Sequence, residues 1–178
     1  MNWWLDLFRR TKREYYADFF ITGPVTIFVV VMSFMGNPFW TFMLYFWLGA
    51  LIWTLYEYVV HRWVLHKMPL FKESHQLHHD DQTDYIAIHP GVTVAFYVMF
   101  WILFGFTTAN PIMAGFSLAY LVYSIAHTMF HYARITPGHL LYGLKRNHAI
   151  HHRKNVNFGV TSPVWDHVFR TYEDFRNE

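Results

Sequence analysis

Two long runs of the chain carry no Lys, Arg, Asp or Glu, the first between Asp18 and Glu57 and the second from Tyr85 to Ala133. Each is interrupted near its middle by turn-forming residues, Gly36-Asn37-Pro38 in one and Ala109-Asn110-Pro111 in the other. Each therefore predicts two apolar helices joined by a tight turn. The expected spans are Phe19–Met35, Phe39–Tyr56, Val92–Thr108 and Ile112–His131. At about 1.5 Å per residue the first two would reach roughly 25–27 Å, short of a ~30 Å hydrocarbon core, which implies a thin or thinned bilayer. Pro69, Pro90, Pro137 and Pro163 punctuate the polar stretches and limit their helices.

Charge orients these spans. If both turns lie on one side of a membrane, every Lys and Arg falls on the other: four before the first span, three between Arg62 and Lys72, and seven from Arg134 onward. By the positive-inside rule both termini are then cytoplasmic. A soluble bundle of apolar hairpins would not require that one-sidedness, although partly re-entrant hairpins remain open. The expected layout is one all-α, integral-membrane domain with four transmembrane helices in two hairpins and a cytoplasmic histidine-rich helical cap. Its parts are an interfacial segment over 1–18, a first hairpin over 19–61, a polar segment over 62–91, a second hairpin over 92–131 and a polar segment over 132–178. Asp6, Glu14 and Asp18 mingle with Arg9, Arg10, Lys12 and Arg13, unlike a cleavable signal peptide. Trp3, Trp4, Leu5, Leu7 and Phe8 are expected to contact lipid, a disordered basic tail being the plainer alternative.

At 178 residues there is no room for separate anchor and catalytic domains, so any chemistry shares the membrane scaffold. Aromatics make up 21% of the chain, which suits spans and interfacial belts. A net charge of +2 gives no reason to expect nucleic acid. The absence of cysteine excludes disulfides, thiolate zinc sites, iron–sulfur clusters and a Cys nucleophile. Imidazole and carboxylate are left as metal ligands.

There are 13 histidines, and ten fall in four clusters: His61 and His66; His75, His78 and His79; His127 and His131; His148, His151 and His152. Residues four apart on a helix differ by about 40° in direction and residues three apart by about 60°, so the last three clusters each share a helix face. His61 and His66 would lie about 140° apart on an α-helix. They are expected either to serve different metals or to straddle a helix end. So many rings exceed one coordination sphere, and two metals are the economical reading. His89, His139 and His167 lack such spacing and are expected at interfaces or in hydrogen bonds.

Glu57 lies one turn before His61, where it either orients a ligand imidazole or is a snorkelling interfacial acid. Asp80, Asp81 and Asp84 read as helix-end residues before they read as ligands. Between Asn157 and Trp165, Gly159 and Pro163 make a turn-rich segment, either a lid that Asp166 ties down or ordinary docking of the C-terminal region.

The order His-x4-His, His-x2-His-His, His-x3-His, His-x2-His-His resembles the histidine boxes of the fatty acid hydroxylase/sterol desaturase superfamily, from about Glu57 to Tyr172. The stretches EYVVHRW and HAIHHRKNVNFGVTSPVWDHVFRTY point within it to the fatty acid 2-hydroxylase branch. Carotenoid hydroxylases share related boxes without this tail. The resemblance implies a non-haem diiron monooxygenase in which the ten boxed histidines bind two iron ions and molecular oxygen is co-substrate. Zinc is an ion that purified protein can carry instead. Glu57 and Asp166 would act behind the ligands, and the implied substrate is a fatty acyl chain, free or in a sphingolipid-like lipid, hydroxylated at carbon 2. No region resembles the cytochrome b5 domain of many relatives, so electrons are expected from a separate cytochrome b5-like, ferredoxin or reductase partner. Lys145, Arg146, Arg153 and Lys154 are candidates to dock it. The bacterial inner membrane is expected, or else the endoplasmic reticulum. Competing readings are a sterol or other lipid desaturase, a carotenoid hydroxylase, a dizinc hydrolase, and a membrane metal-binding or transport protein.

Overall fold

A computed structural model describes residues 9–83 and 110–174, together with 85, 95, 98, 99 and 102. The regular elements among them are helical: α1 (Lys12–Met35), α2 (Phe39–Val59) continued by a π-helical turn (Val60–Leu65), α3 (Pro69–Asp80), α4 (Pro111–Tyr132), α5 (Tyr142–His151) and α6 (Val164–Val168). Three helical stretches, Lys12–Met35, Phe39–Leu65 and Pro111–Tyr132, are long and apolar enough to cross a membrane. Of the fourth expected span, Val92–Thr108, only residues 95, 98, 99 and 102 are described, and the residues expected to contact lipid, Trp3, Trp4, Leu5, Leu7 and Phe8, lie outside the described residues.

The helices extend beyond the uncharged runs. Thr11 accepts from the backbone N–H of Glu14, and Glu14 accepts from the N–H of Thr11, a reciprocal cap that starts α1 before the charges end. The Thr-x-x-Glu spacing is visible in the sequence, and it places the helix start inside the segment expected to be an interfacial lead-in. At about 1.5 Å per residue the three stretches run roughly 33–40 Å, so no thinned bilayer is required. Their outer faces are apolar and bare, with Phe20, Trp40, Leu44, Trp47 and Ile27 each more than half exposed, as lipid-facing side chains are.

The chain divides into two units, one drawn from Met1–Ile52 with Asp84–Leu121 and the other from Trp53–Thr83 with Val122–Glu178. In the first, Val29, Phe42 and Ala114 form the buried core. There α2 and α4 meet backbone to backbone: a Cβ on Gly49 would lie 2.0 Å from the Ile112 carbonyl oxygen, and one on Gly115 would lie 1.8 Å from that of Phe46. Small residues permit such approach where no hydrophobic effect drives helices together. The Tyr120 hydroxyl donates to Asp18 at 3.0 Å, giving a carboxylate inside an apolar helix a partner. In the second unit, Ala126, Phe130, Ile135 and Val160 form the core, and all ten clustered histidines belong to this unit.

Candidate metal centre

The ten histidines resolve into two groups of five. His61, His66, His75, His79 and His151 form one, and His78, His127, His131, His148 and His152 the other, with one ring nitrogen from each residue within 4.8 Å of the others in its group. The i,i+4 pairs stay together: 75 with 79, 127 with 131, 148 with 152. The odd member of each triple crosses over, so α3 sends His78 to the second group and α5 sends His151 to the first. The 60° between residues three apart separates them, while the 40° between residues four apart does not.

His61 and His66 fall in one group, their ring centroids 5.3 Å apart, where an α-helix would have turned them aside. The segment between them is the π-helical turn, whose i→i+5 bonding holds one more residue per turn and brings residues five apart into line. The 140° expectation fails because it presumed an α-helix.

Nitrogen geometry fits cations. In the first group the Nε2 of His75 faces those of His61, His66 and His79, each at 3.1 Å. One ring can supply only one proton there, so the three contacts cannot all be hydrogen bonds. His151 donates from Nδ1 to the Val156 carbonyl at 2.8 Å, and burial pushes its pKa down to about 3, so its bare Nε2 faces His66 Nε2 at 3.1 Å. In the second group His148 Nε2 faces those of His131 and His152, each at 3.0 Å. A first-row metal bound at roughly 2.0–2.1 Å holds neighbouring nitrogens about 3.0–3.4 Å apart, the spacing found here. The buried Nε2 of His78 has no hydrogen-bond partner among the described residues, and its ring lies 4.7 Å from that of His131.

Burial, aided by repulsion from neighbouring rings, holds these imidazoles neutral. It lowers His66 to about 4 and His78 to about 3, and His75, His79, His148 and His152 are also lowered, first of all by desolvation. Neutral rings offer the lone pairs that ligation needs.

The loop after α5 secures the first group. The His61 Nδ1 donates to the Phe158 carbonyl at 2.6 Å, and the His151 Nδ1 donates to that of Val156. Asp166, fully buried, accepts from the N–H groups of Phe158 and Gly159, each at 2.8 Å, and from the Thr171 hydroxyl. Glu57 is also buried; it accepts from the N–H groups of Val160 at 2.5 Å and Thr161 at 3.0 Å, and from the Thr161 hydroxyl. Both carboxylates hold backbone, and Glu57 reaches His61 only through that loop. Asn157, at φ 53°, is held to Glu173 through both ends of its amide. The anchoring carbonyls had no signal in the sequence, since any residue type supplies one.

Other expected residues find plainer roles. His139 Nδ1 accepts from the Leu141 N–H, and His167 stacks on Tyr172. Asp80 accepts from Gln76 and Asp81 from Thr83, both helix-end contacts, while His89 and Asp84 lie outside the described residues. Two of the four basic docking candidates are paired within the chain, Arg146 with Asp174 at 2.7 Å and Lys154 with Glu173 at 2.5 Å. Lys145 donates to the Ala133 carbonyl.

The profile of the fatty acid hydroxylase family matches residues 46–171, the stretch that contains both groups. The chain belongs to that family. Within it, the chain is 32% identical over 141 residues to a fatty acid 2-hydroxylase of Rattus norvegicus, covering 70% of this chain and 38% of that one. It is 32% identical over 139 residues to a dihydroceramide fatty acyl 2-hydroxylase of Arabidopsis thaliana, covering 70% and 58%. A ceramide very long chain fatty acid hydroxylase of Saccharomyces cerevisiae is 31% identical over 169 residues, covering 84% and 43%. The solved structure of full-length scs7p, with only its hydroxylase domain visible, superposes with a TM-score of 0.76 at 26% identity, over 97% of this chain and 70% of that one. The family is one of lipid-metabolising membrane oxidoreductases, and the chain spans 38–58% of the length of these curated relatives.

Proposed function

We propose that this chain is an oxygen-dependent diiron hydroxylase that places a hydroxyl on carbon 2 of a fatty acyl chain, free or in a sphingolipid-like lipid. The observation that carries this reading is the gathering of ten imidazoles into two five-membered groups. The 2-hydroxylase names of the similar proteins supply the position of attack. No acid or base in the protein can remove hydrogen from an alkyl carbon, and iron with molecular oxygen would supply that oxidising power. The chain's own part is to hold neutral imidazoles in place and to limit water. Phe158 lies 5.3–5.9 Å from the rings of His61, His66 and His151, and Tyr123 stacks on His127 at 5.7 Å. A separate donor would deliver the electrons, and the distribution of Lys and Arg favours a cytoplasmic histidine face with both termini on that side.

Anaerobic reconstitution of the full chain with ferrous iron, followed by oxygen, reductant and candidate acyl lipids, tests the proposal. Formation of 2-hydroxyacyl product, lost in His127→Ala and His148→Ala and retained in His139→Ala, is the expected result. Retention in all three, or a desaturated product instead, would overturn it.

A further inference from the structure

The two histidine groups differ in what stands behind them. In the first, His61 and His151 each spend their second nitrogen on a backbone carbonyl. In the second, Nδ1 of His148 and Nδ1 of His152 are buried with no hydrogen-bond partner among the described residues. A ring fixed through its far nitrogen cannot turn or change tautomer without breaking that bond, whereas a ring without one can.

The two carbonyls, of Val156 and Phe158, lie on one short loop, residues 155–161, and that loop is itself restrained twice. Asp166 takes the N–H groups of Phe158 and Gly159, and Glu57 takes those of Val160 and Thr161. Glu57 precedes His61 by four residues on the same continuous helical stretch. One element therefore carries both a ring of the first group and the clamp on the loop that orients it. Among the described residues no comparable clamp reaches His148 or His152.

We infer that the two metal sites are unequal: the first group is a preorganised, tight site set by Glu57 and Asp166 as positioning residues, and the second is the weaker, exchangeable one. This rests on the two-metal reading above. Desolvated lone pairs held in register lose little freedom when an ion enters, so the affinity of the fixed group exceeds that of the free one.

The test is titration of the full chain, stripped of metal in detergent, with Co(II), followed by its visible absorption and by chelator competition. Two steps are expected, separated at least tenfold in affinity. His61→Ala should remove the tight step and His148→Ala the weak one. Asp166→Asn and Glu57→Gln should weaken the tight step roughly 10–100-fold, the range for groups that orient ligands, and leave the weak step in place. Thr161→Val removes a single hydroxyl from the clamp and should shift the tight step in the same direction, which covers the case in which a carboxylate variant loses its helical circular dichroism. Equal weakening of both steps, or loss of the tight step in His148→Ala, would overturn the inequality. Binding of no cobalt, or of one ion per chain, would instead defeat the two-metal reading itself.

Discussion

His66 Nε2 lies 3.1 Å from His151 Nε2 across a sequence separation of 85 residues, joining the end of the π-helical turn to the end of α5. Because His66 Nε2 also faces His75 Nε2 at 3.1 Å and cannot hydrogen-bond both, these rings would hold an ion together. His66→Ala and His151→Ala should each lower product formation by two orders of magnitude or more, with the helical circular dichroism retained. Turnover within tenfold of the parent chain in both variants would contradict the assignment.

Backbone contact between α2 and α4 leaves no space for side chains at two glycines. Gly49→Leu and Gly115→Leu should each destabilise the protein by about 1–3 kcal/mol or more, the ordinary cost of overpacking, while Gly23→Leu, with nothing within 4 Å of its Cβ position, should cost little. Thermal unfolding in detergent measures the contrast, and equal melting of all three variants would refute it.

The neutral imidazoles make the metal-free fold acid-sensitive. Unfolded rings take up protons near pH 6.5, whereas folded His66 does so only near 4, and His78 and His151 only near 3. The unfolded chain therefore binds more protons across this window. Stability is complete above about pH 6.5 and is lost as pH falls toward 4 and below. Denaturant melts of stripped protein at pH 7, 6, 5 and 4 should show that decline, and a flat profile would argue against it.

Gly159 faces the Ser162 carbonyl oxygen so closely that a Cβ would lie 2.1 Å away, and 2.9 Å from Asp166 Oδ2. Gly159→Ala should displace the loop that carries the Phe158 carbonyl and reduce hydroxylation at least tenfold. Gly143→Ala, where a Cβ would meet open space, should leave it near the parental level. Product analysis by mass spectrometry distinguishes the two.

The apolar helices and the histidines were legible in the linear chain because both are local signals. Uncharged runs mark apolar helices whatever surrounds them, and the spacings of His75, His79, His127, His131, His148 and His152 place each i,i+4 pair on one face. The Thr11 to Glu14 cap is equally local, a Thr-x-x-Glu spacing set among charged residues. The histidine boxes and the tail from His148 to Tyr172 also carried the family resemblance before any coordinates.

Grouping needed the fold. His78 and His151 part from their own triples, and His61 joins His66, because the outcome depends on which helix lies opposite and on a π-helical turn that residue types do not announce. The roles of Glu57 and Asp166 likewise emerged only when a distant loop brought its N–H groups to them. A side chain's direction follows from its own helix, but its partners follow from packing between segments about a hundred residues apart, as Glu57 and Val160 are, and that long-range choice is made by the folded chain as a whole.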